Sequence, residues 1–107
     1  MVKNQTEVLA DFTAQDITTE VLEIRLDGLH HVSVHIETGD LVGSVVIEGR
    51  RPGGGAGGTA SPWEIIETYS VDGTAPTWKT VEIAGGWDFR LRCSAYTSGS
   101  ARGWLVA

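Results

Sequence analysis

The sequence predicts an all-β protein: a single antiparallel β-sandwich of about eight strands with a jelly-roll-like arrangement. Most of the chain divides into short segments in which apolar and polar residues alternate. This period of two is the pattern of a strand with one buried face. Glycine-bearing turn signals separate the segments at short intervals, as they do in hairpins. The number and spacing of the segments are those expected of a sandwich or barrel.

Four strands are predicted in the first half of the chain. They are Glu7–Thr13, Thr19–Leu26, His31–Glu37 and Ser44–Glu48. In the third strand Val32, Val34 and Ile36 share one face, and His31 and His35 lie on the other. The fourth strand, SVVIE, is short and almost entirely apolar. The alternation places a hydrophobic face on each of these strands, and these faces predict the core.

Helix competes with strand at one segment, Thr18–Leu29. Its sequence, TTEVLEIRLDGL, could place Val21, Leu22 and Ile24 on one helical face, with a threonine as N-cap. However, Leu22, Ile24 and Leu26 alternate with charged residues, which fits a period of two better. The β-branched residues also favour the extended form. We therefore predict a strand here.

Four more strands are predicted in the second half of the chain. They are Trp63–Tyr69, Thr77–Ile83, Trp87–Ala95 and Ala101–Val106. Turn signals lie between the strands of both halves, at Asp27-Gly28, Thr38-Gly39-Asp40, Asp72-Gly73, Ala84-Gly85-Gly86 and Thr97-Ser98-Gly99-Ser100. Glycine adopts the positive φ angles that tight hairpin turns require. The last turn joins the final pair of strands into a closing hairpin.

A glycine- and proline-rich loop, Arg50–Pro62, interrupts this regular spacing. Its sequence, RRPGGGAGGTASP, can neither form a strand nor pack a core, so it predicts a surface loop. A phosphate-binding Walker loop would need a lysine, and the loop contains none. A dinucleotide-binding loop would need a helix after it, and Trp63 begins a predicted strand instead. The loop is therefore interpreted as an exposed linker or a segment ordered by a neighbouring subunit.

Length and charge limit the possible functions. The chain has 107 residues and suits a single domain, residues 1–107, with an ordinary hydrophobic core. Its formal charge is -6, from 14 acidic and 8 basic side chains, which argues against sequence-independent nucleic-acid binding. No apolar stretch approaches the roughly 20 residues that cross a bilayer. We therefore expect neither nucleic acid nor a membrane as a partner.

The N-terminal sequence MVKNQTEVLADFT contains no apolar run long enough for a signal peptide. We therefore expect the protein to be made and folded in a cytoplasm. Residues 1–6 have no packing face and predict a possible flexible arm. Cys93 is the single cysteine, so no disulfide within the chain contributes to the fold.

The sequence contains no catalytic or metal-binding pattern. His31 and His35 share a strand face but would lie about 13 Å apart, too far to bind one ion. All three histidines, His30, His31 and His35, are interpreted as polar-face residues of an exposed strand. Cys93 lies on the core face, where a thiol is inert. The carboxylates are scattered, and no serine nucleophile motif occurs. We predict no enzyme activity, no cofactor and no metal.

The four tryptophans have three possible interpretations. Trp87 shares the core face of its strand, whereas Trp78 and Trp104 fall on polar or mixed faces. Trp63 aligns with both apolar and polar residues. These tryptophans could stack on sugar rings, could anchor a protein interface, or could simply all belong to the core. Tryptophan, tyrosine and arginine are the side chains that most often anchor protein interfaces.

The C-terminal run FRLRCSAYTSGSARGWLVA, Phe89–Ala107, resembles the end of small virion proteins of tailed double-stranded DNA phages. In those proteins a strand of alternating arginine and apolar residues meets a turn close to AYTSG, and a short final strand follows. The family also has a strand like LVGSVVIEG, a glycine-rich loop and a tryptophan-bearing strand, which match Leu41–Gly49, Arg50–Pro62 and Trp63–Ser70. VEIAGGW stands where the family has a turn before the arginine strand. Cys93 and Arg102-Gly103-Trp104 depart from the pattern.

The resemblance implies a β-sandwich with a structural, non-enzymatic role in a virion. The first expectation is a capsid decoration protein that binds the major capsid protein or other virion proteins and forms a dimer or trimer. A head–tail connector, neck or tail-associated protein is the second expectation, and a carbohydrate-binding module is the third. Interface residues are expected on the strand faces and at the base of the loop: Trp78, Trp104, Tyr96, Arg90, Arg92, Arg50 and Arg51.

Overall fold

A computed structural model describes residues 7–24, 28–53, 60–74 and 76–107. In these residues the chain forms eight strands, with no helix long and apolar enough to span a membrane. The strands are β1 (Glu7–Phe12), β2 (Leu22–Ile24), β3 (Leu29–Ile36), β4 (Val42–Arg50), β5 (Glu64–Val71), β6 (Thr77–Ala84), β7 (Trp87–Ser98) and β8 (Ala101–Val106). The possible arm, residues 1–6, and residues 54–59 of the glycine-rich loop lie outside the described residues.

The eight strands form two antiparallel sheets of four strands each. One sheet has the order β1-β8-β3-β6 and the other has the order β2-β7-β4-β5. The hydrogen-bonded neighbours include β1 with β8, β2 with β7, β3 with β6 and β4 with β5. These are the pairs made when one long hairpin, with four strands in each arm, is rolled into a sandwich, which is the jelly-roll topology. The predicted all-β, eight-stranded sandwich is confirmed.

The core lies between the sheets and consists of the apolar faces of alternating residues. Val32, Val34 and Ile36 of β3 are fully buried, as the alternation predicted. Cys93 is also buried among apolar side chains. Burial raises the pKa of its thiol above the ordinary value, which disfavours the reactive thiolate.

Strand lengths differ most from the prediction at β2, β4 and β7, and β7 extends to Ser98 rather than ending at Ala95. The described part of the second strand is Leu22–Ile24, so the strand begins later than the predicted Thr19, and predicted residues 25 and 26 lie outside the described residues. The preceding segment approaches β7 through an isolated bridge between Thr18 and Arg92. β4 is longer than the predicted SVVIE and is buried at five consecutive positions. A strand covered on both faces has no polar side to alternate, so its pattern is continuous rather than periodic.

β-Bulges between β4 and β7 change which residues of β7 face the core. The register shifts between Val42 and Gly43 and again between Ser44 and Val45. Each extra residue on one strand reverses the alternation that follows. Ala95, which was predicted inside, is exposed, and Tyr96 packs against the core instead of lying on the outer face with the arginines. The predicted orientation of Tyr96 was therefore wrong.

The turn after β7 is fixed by contact with the loop that follows β3. Asp40 accepts a hydrogen bond from the Ser100 amide at its Oδ1 (2.7 Å), and its own amide donates to the Ser100 carbonyl (3.1 Å). The Tyr96 hydroxyl donates to the Gly99 carbonyl at 2.8 Å. Gly99 has a φ of 78°, and a Cβ at this position would overlap the Asp40 carbonyl group. Glycine is therefore required here both by backbone conformation and by space.

Tyr69 of β5 is a buried residue whose hydroxyl is hydrogen-bonded. It donates a hydrogen bond of 2.9 Å to Oε2 of Glu67, two residues earlier on β5. Burial, and then the neighbouring Glu67 carboxylate, raise the pKa of Tyr69 well above its ordinary value. The folded protein therefore holds this proton at a pH at which an unfolded tyrosine has lost it.

We expect Gly99→Ala to lower the free energy of unfolding by more than about 2 kcal/mol, because strained backbone and steric overlap both contribute. Urea unfolding followed by circular dichroism measures the change. Gly28→Ala is the matched control, because Gly28 also has positive φ, 99°, but a Cβ there meets nothing within 4 Å. Gly28→Ala should cost about 1 kcal/mol. Equal losses in the two variants would show that Asp40 does not constrain the turn.

The stability contributed by the Tyr69 proton should disappear at alkaline pH. It is fully present below the unfolded pKa of about 10 and is lost as the pH rises above that value, because unfolded tyrosine ionises first. Wild type should be more stable than Tyr69→Phe by about 1 kcal/mol at pH 8. The two should converge as the pH rises past 10, as measured by urea unfolding.

Glu67→Gln keeps an acceptor for the Tyr69 hydroxyl but removes the charge. It should retain part of the alkaline decline, because burial is the larger cause of the shift. Parallel stability curves for wild type and Tyr69→Phe from pH 8 to pH 11 would show that the Tyr69 proton does not contribute to the pH dependence of stability.

Candidate functional site

An aromatic row crosses the outer face of the sheet β1-β8-β3-β6. Strand register sets Leu9 of β1 opposite Trp104 of β8, Trp104 opposite His35 of β3, and His35 opposite Trp78 of β6. Leu9, His35 and Trp104 point away from the core because the residues beside them on their strands are buried or packed against it, and Trp78 is itself exposed. The row Leu9–Trp104–His35–Trp78 thus includes one residue from every strand of the sheet.

The rings of this row stand side by side rather than lying flat on the sheet. The His35 ring lies 5.0 Å from the Trp104 ring with an interplanar angle of 15°, and 4.4 Å from the Trp78 ring at 44°. The His35 and Trp104 rings are stacked face to face. Two rings that both lay flat on the sheet could not bring their centroids this close. These spacings are near the separation of neighbouring strands, about 4.8 Å. The imidazole therefore lies between the two indoles.

The row is apolar and open to solvent at both ends. Trp78 is 67% exposed and Leu9 is 46% exposed, while Trp104 and His35 are half-buried. Large apolar side chains exposed together mark interaction sites more reliably than single ones do. The row is thus the best candidate for a contact site on this sheet.

Two polar pairs flank the row, one on each side. Arg102 donates to Asp11 at 2.8 Å, and Nε2 of His31 lies 3.4 Å from Oε2 of Glu82. The hydrogen bond from Arg102 holds the pKa of Asp11 below its ordinary value. An apolar centre with a charged rim is the usual composition of a protein interface.

Trp78 and Trp104 were predicted from alternation to lie on non-core faces, and this placement is confirmed. The sequence did not indicate that they would lie together, because they are far apart along the chain and meet only through β3. His35 was interpreted as a polar residue of an exposed strand, and its place between the two indoles was missed. The period-two pattern did identify its face, but not its cross-strand neighbours.

A second cluster lies on the outer face of the other sheet. Glu48 is almost fully buried and its Oε1 accepts hydrogen bonds from Nε of Arg90 and Nε of Arg92, both at 3.0 Å. Arg92 also donates from Nη1 to Asp16 at 3.0 Å. The hydrogen bond to Glu48 raises the pKa of Arg92 above its ordinary value. A carboxylate shared by two guanidinium groups orders both of them.

Trp63 covers part of this cluster. The Arg50 guanidinium lies 4.4 Å from the centre of the Trp63 ring and the Arg90 guanidinium lies 4.2 Å from it, within cation–π range. Nε of Arg50 also donates to Oδ2 of Asp88 at 3.3 Å. We call Arg50, Trp63 and Arg90 the arginine–tryptophan cluster. It lies on the opposite sheet from the aromatic row, so Trp63 is not part of that row. Trp87, which was predicted on the core face, is 37% exposed, so that prediction was wrong.

The predicted interface residues therefore fall into different environments. Pairing of β4 with β7 brings Arg50 close to Arg90 and Arg92, although Arg50 is about 40 residues away from them in the sequence. Arg51 is exposed beyond the end of β4, where its amide donates to Oγ of Ser61 at 2.8 Å. It helps to close the base of the glycine-rich loop and does not join the cluster.

The described residues contain no group of three or more His, Cys, Asp or Glu side chains placed to hold a metal ion. Comparison with protein families, with curated proteins and with solved structures finds no match to this chain. The two outer sheet faces are thus the features from which a function must be argued.

We expect Trp78→Ala to change the free energy of unfolding by less than about 1 kcal/mol, because the indole is mostly exposed. Leu91→Ala, which empties a fully buried position on β7, should cost about 2–5 kcal/mol. Urea unfolding measures both variants. A loss at Trp78 as large as that at Leu91 would place this indole in the core and not in a contact site.

Proposed function

We propose that this protein is a non-enzymatic structural protein of a phage virion. Its first proposed role is capsid decoration, in which it binds the major capsid protein and reinforces the shell. The observation that carries the proposal is the aromatic row, an exposed apolar surface across one complete face of the sandwich. The resemblance of the closing hairpin and of the segment LVGSVVIEG to phage virion proteins supplies the class of assembly.

The composition of the row supports contact with a protein. Tryptophan is among the residues that contribute most to interface affinity when a partner covers it. Trp78 and Trp104 are held by packing against His35, so binding would cost them little side-chain freedom. Jelly rolls occur in both viral capsid and lectin domains, so the fold is compatible with this role without deciding it.

The ring geometry favours protein contact over sugar stacking. A sugar ring packs on the flat face of an indole, but the Trp104 ring is stacked against His35 and the Trp78 ring is tilted by 44° relative to the His35 ring. Trp63, the third tryptophan considered for sugar stacking, is on the opposite sheet and has two guanidinium groups against it. These tryptophans do not form one flat platform. Carbohydrate binding therefore remains the weaker alternative.

The mechanism proposed for decoration is burial of surface across joints between capsid subunits. A jelly roll brings a flat, preformed sheet face to such a joint, and apolar burial there stabilises the joined state. Loss of the protein should then lower the resistance of the particle to heat or osmotic shock. A dimer or trimer of the protein would place several aromatic rows at one symmetry axis.

A neck or tail position is the second proposal, since an aromatic row could equally contact a connector or tail protein. Copy number separates the two positions. Decoration requires hundreds of copies in each particle, whereas a neck or tail ring requires about a dozen or fewer. Quantitative mass spectrometry of purified particles from the phage that encodes the chain gives this number. Particles that lack the chain altogether would disprove the virion proposal.

The role of the aromatic row can be tested by adding purified protein to particles that lack it. We expect the double variant Trp78→Ala/Trp104→Ala to bind at least about 30-fold more weakly than wild type, as for the loss of one strong interface anchor. Co-sedimentation over a range of protein concentrations measures the affinity. The double variant Ser33→Ala/Thr80→Ala is the matched control on the same sheet face, and it should bind within about threefold of wild type.

Unchanged binding by the tryptophan variant would show that another surface makes the contact. Binding of soluble oligosaccharides that depends on Trp78, with no affinity for particles, would favour the carbohydrate-binding alternative.

A further inference from the structure

The arginine–tryptophan cluster is independent of the aromatic row and is a second surface with its own chemistry. Glu48 and Asp88 are nearly inaccessible, with side chains 5% and 6% exposed, whereas the side chains of Arg90 and Arg50 are 23% and 30% exposed. The carboxylates therefore lie beneath and the guanidinium groups above them. A molecule approaching the centre of this face meets positive groups and the Trp63 ring.

The geometry of the two arginines suits the capture of a further carboxylate. Arg50 donates to Asp88 through Nε, and Arg90 donates to Glu48 through Nε. A guanidinium has five N–H donors, and the terminal Nη groups can form the two parallel hydrogen bonds that a carboxylate accepts. Both groups are fixed in place, by Asp88 and Glu48 on one side and by Trp63 on the other.

We propose that the arginine–tryptophan cluster is a binding site for an aspartate or glutamate side chain of a second protein partner. The incoming carboxylate would accept hydrogen bonds from the Nη groups of Arg50 and Arg90. Because both arginines are ordered before binding, little conformational freedom would be lost. The protein would then contact one partner through each sheet face.

Charge around the cluster favours a single carboxylate over a polyanion. Two exposed acidic residues, Asp16 and Glu23, lie at the β2 side of this face, and the whole chain carries a formal charge of -6. A nucleic acid would bring a line of phosphates past these carboxylates, and repulsion would oppose it. A single acidic side chain would contact only Arg50 and Arg90 at the centre of the cluster and would not have to pass Asp16 and Glu23.

Nuclear magnetic resonance of the isotope-labelled full chain tests the proposal directly. The probe is a short peptide that alternates glycine and glutamate, and the matched control peptide carries glutamine in place of glutamate. We expect the glutamate peptide to shift the indole N–H signal of Trp63 and the Nε–H signals of Arg50 and Arg90 in a saturable way. The indole signals of Trp78 and Trp104, on the opposite face, should not move.

Arg50→Gln should weaken binding of the glutamate peptide about tenfold, as expected for loss of one charge-assisted pair of hydrogen bonds. Arg50→Lys keeps the positive charge but loses the paired, planar N–H donors of the guanidinium, so it should recover only part of this affinity. Arg51→Gln is the matched control, because Arg51 is adjacent in sequence but outside the cluster. A dispersed amide spectrum of each variant establishes that it is folded.

Several results would overturn the proposal. The first is no shift at Trp63 at roughly 10 mM peptide, and the second is equal shifts with the glutamine peptide. Tighter binding of a single-stranded oligonucleotide would assign the face to nucleic acid instead. Shifts at Trp63 on concentrating the protein alone would make the partner a second copy of the chain. None of these results bears on the aromatic row, whose test uses Trp78 and Trp104.

Discussion

Both outer surfaces of this protein depend on the register of strands that are distant in the chain. Pairing of β3 with β8 sets His35 beside Trp104, and pairing of β4 with β7 sets Glu48 beside Arg90. A register slip of one residue would turn every side chain of a strand to the opposite face. The core residues would then be exposed to solvent, and the residues now on the surface would be buried. Packing of the core thus selects the register, and the register assembles the surfaces.

Glu48 shows how closely the core and the surface are connected. Removing a carboxylate from water costs several kcal/mol, and two guanidinium groups offset this cost where the strands pair. Val46, two residues earlier on the same outward side of β4, is also almost fully buried, although it is not part of the core between the sheets. Long side chains can cover apolar surface with their aliphatic stems, so the outer face of this sheet is packed as well as charged. The arginines on it are consequently ordered before any partner arrives.

Much of the fold could be predicted, because period-two alternation reports which face of a strand is buried. The eight strands, the core positions of β3 and the outward positions of Trp78 and Trp104 all followed from it. Tyr96 did not, because the β-bulges that turn it inward depend on how β7 meets β4 rather than on the residues of β7 alone. For the same reason the proximity of Arg50 to Arg90 and of His35 to the tryptophans could not be predicted. Alternation within a strand predicts which face of the sheet a residue occupies, but its neighbours across the sheet depend on how the strands pair.

The pairing of β1 with β8 also governs the order of folding. Glu7 and Val106 are register partners, so the first described strand cannot be hydrogen-bonded on that side until β8 has been made. Contacts between such distant segments close large loops and fold slowly, in contrast with hairpins such as β7 and β8. During synthesis on the ribosome, β1 therefore spends longer as an unpaired strand than any later element. Its two acidic residues, Glu7 and Asp11, oppose unwanted pairing with other chains during this interval.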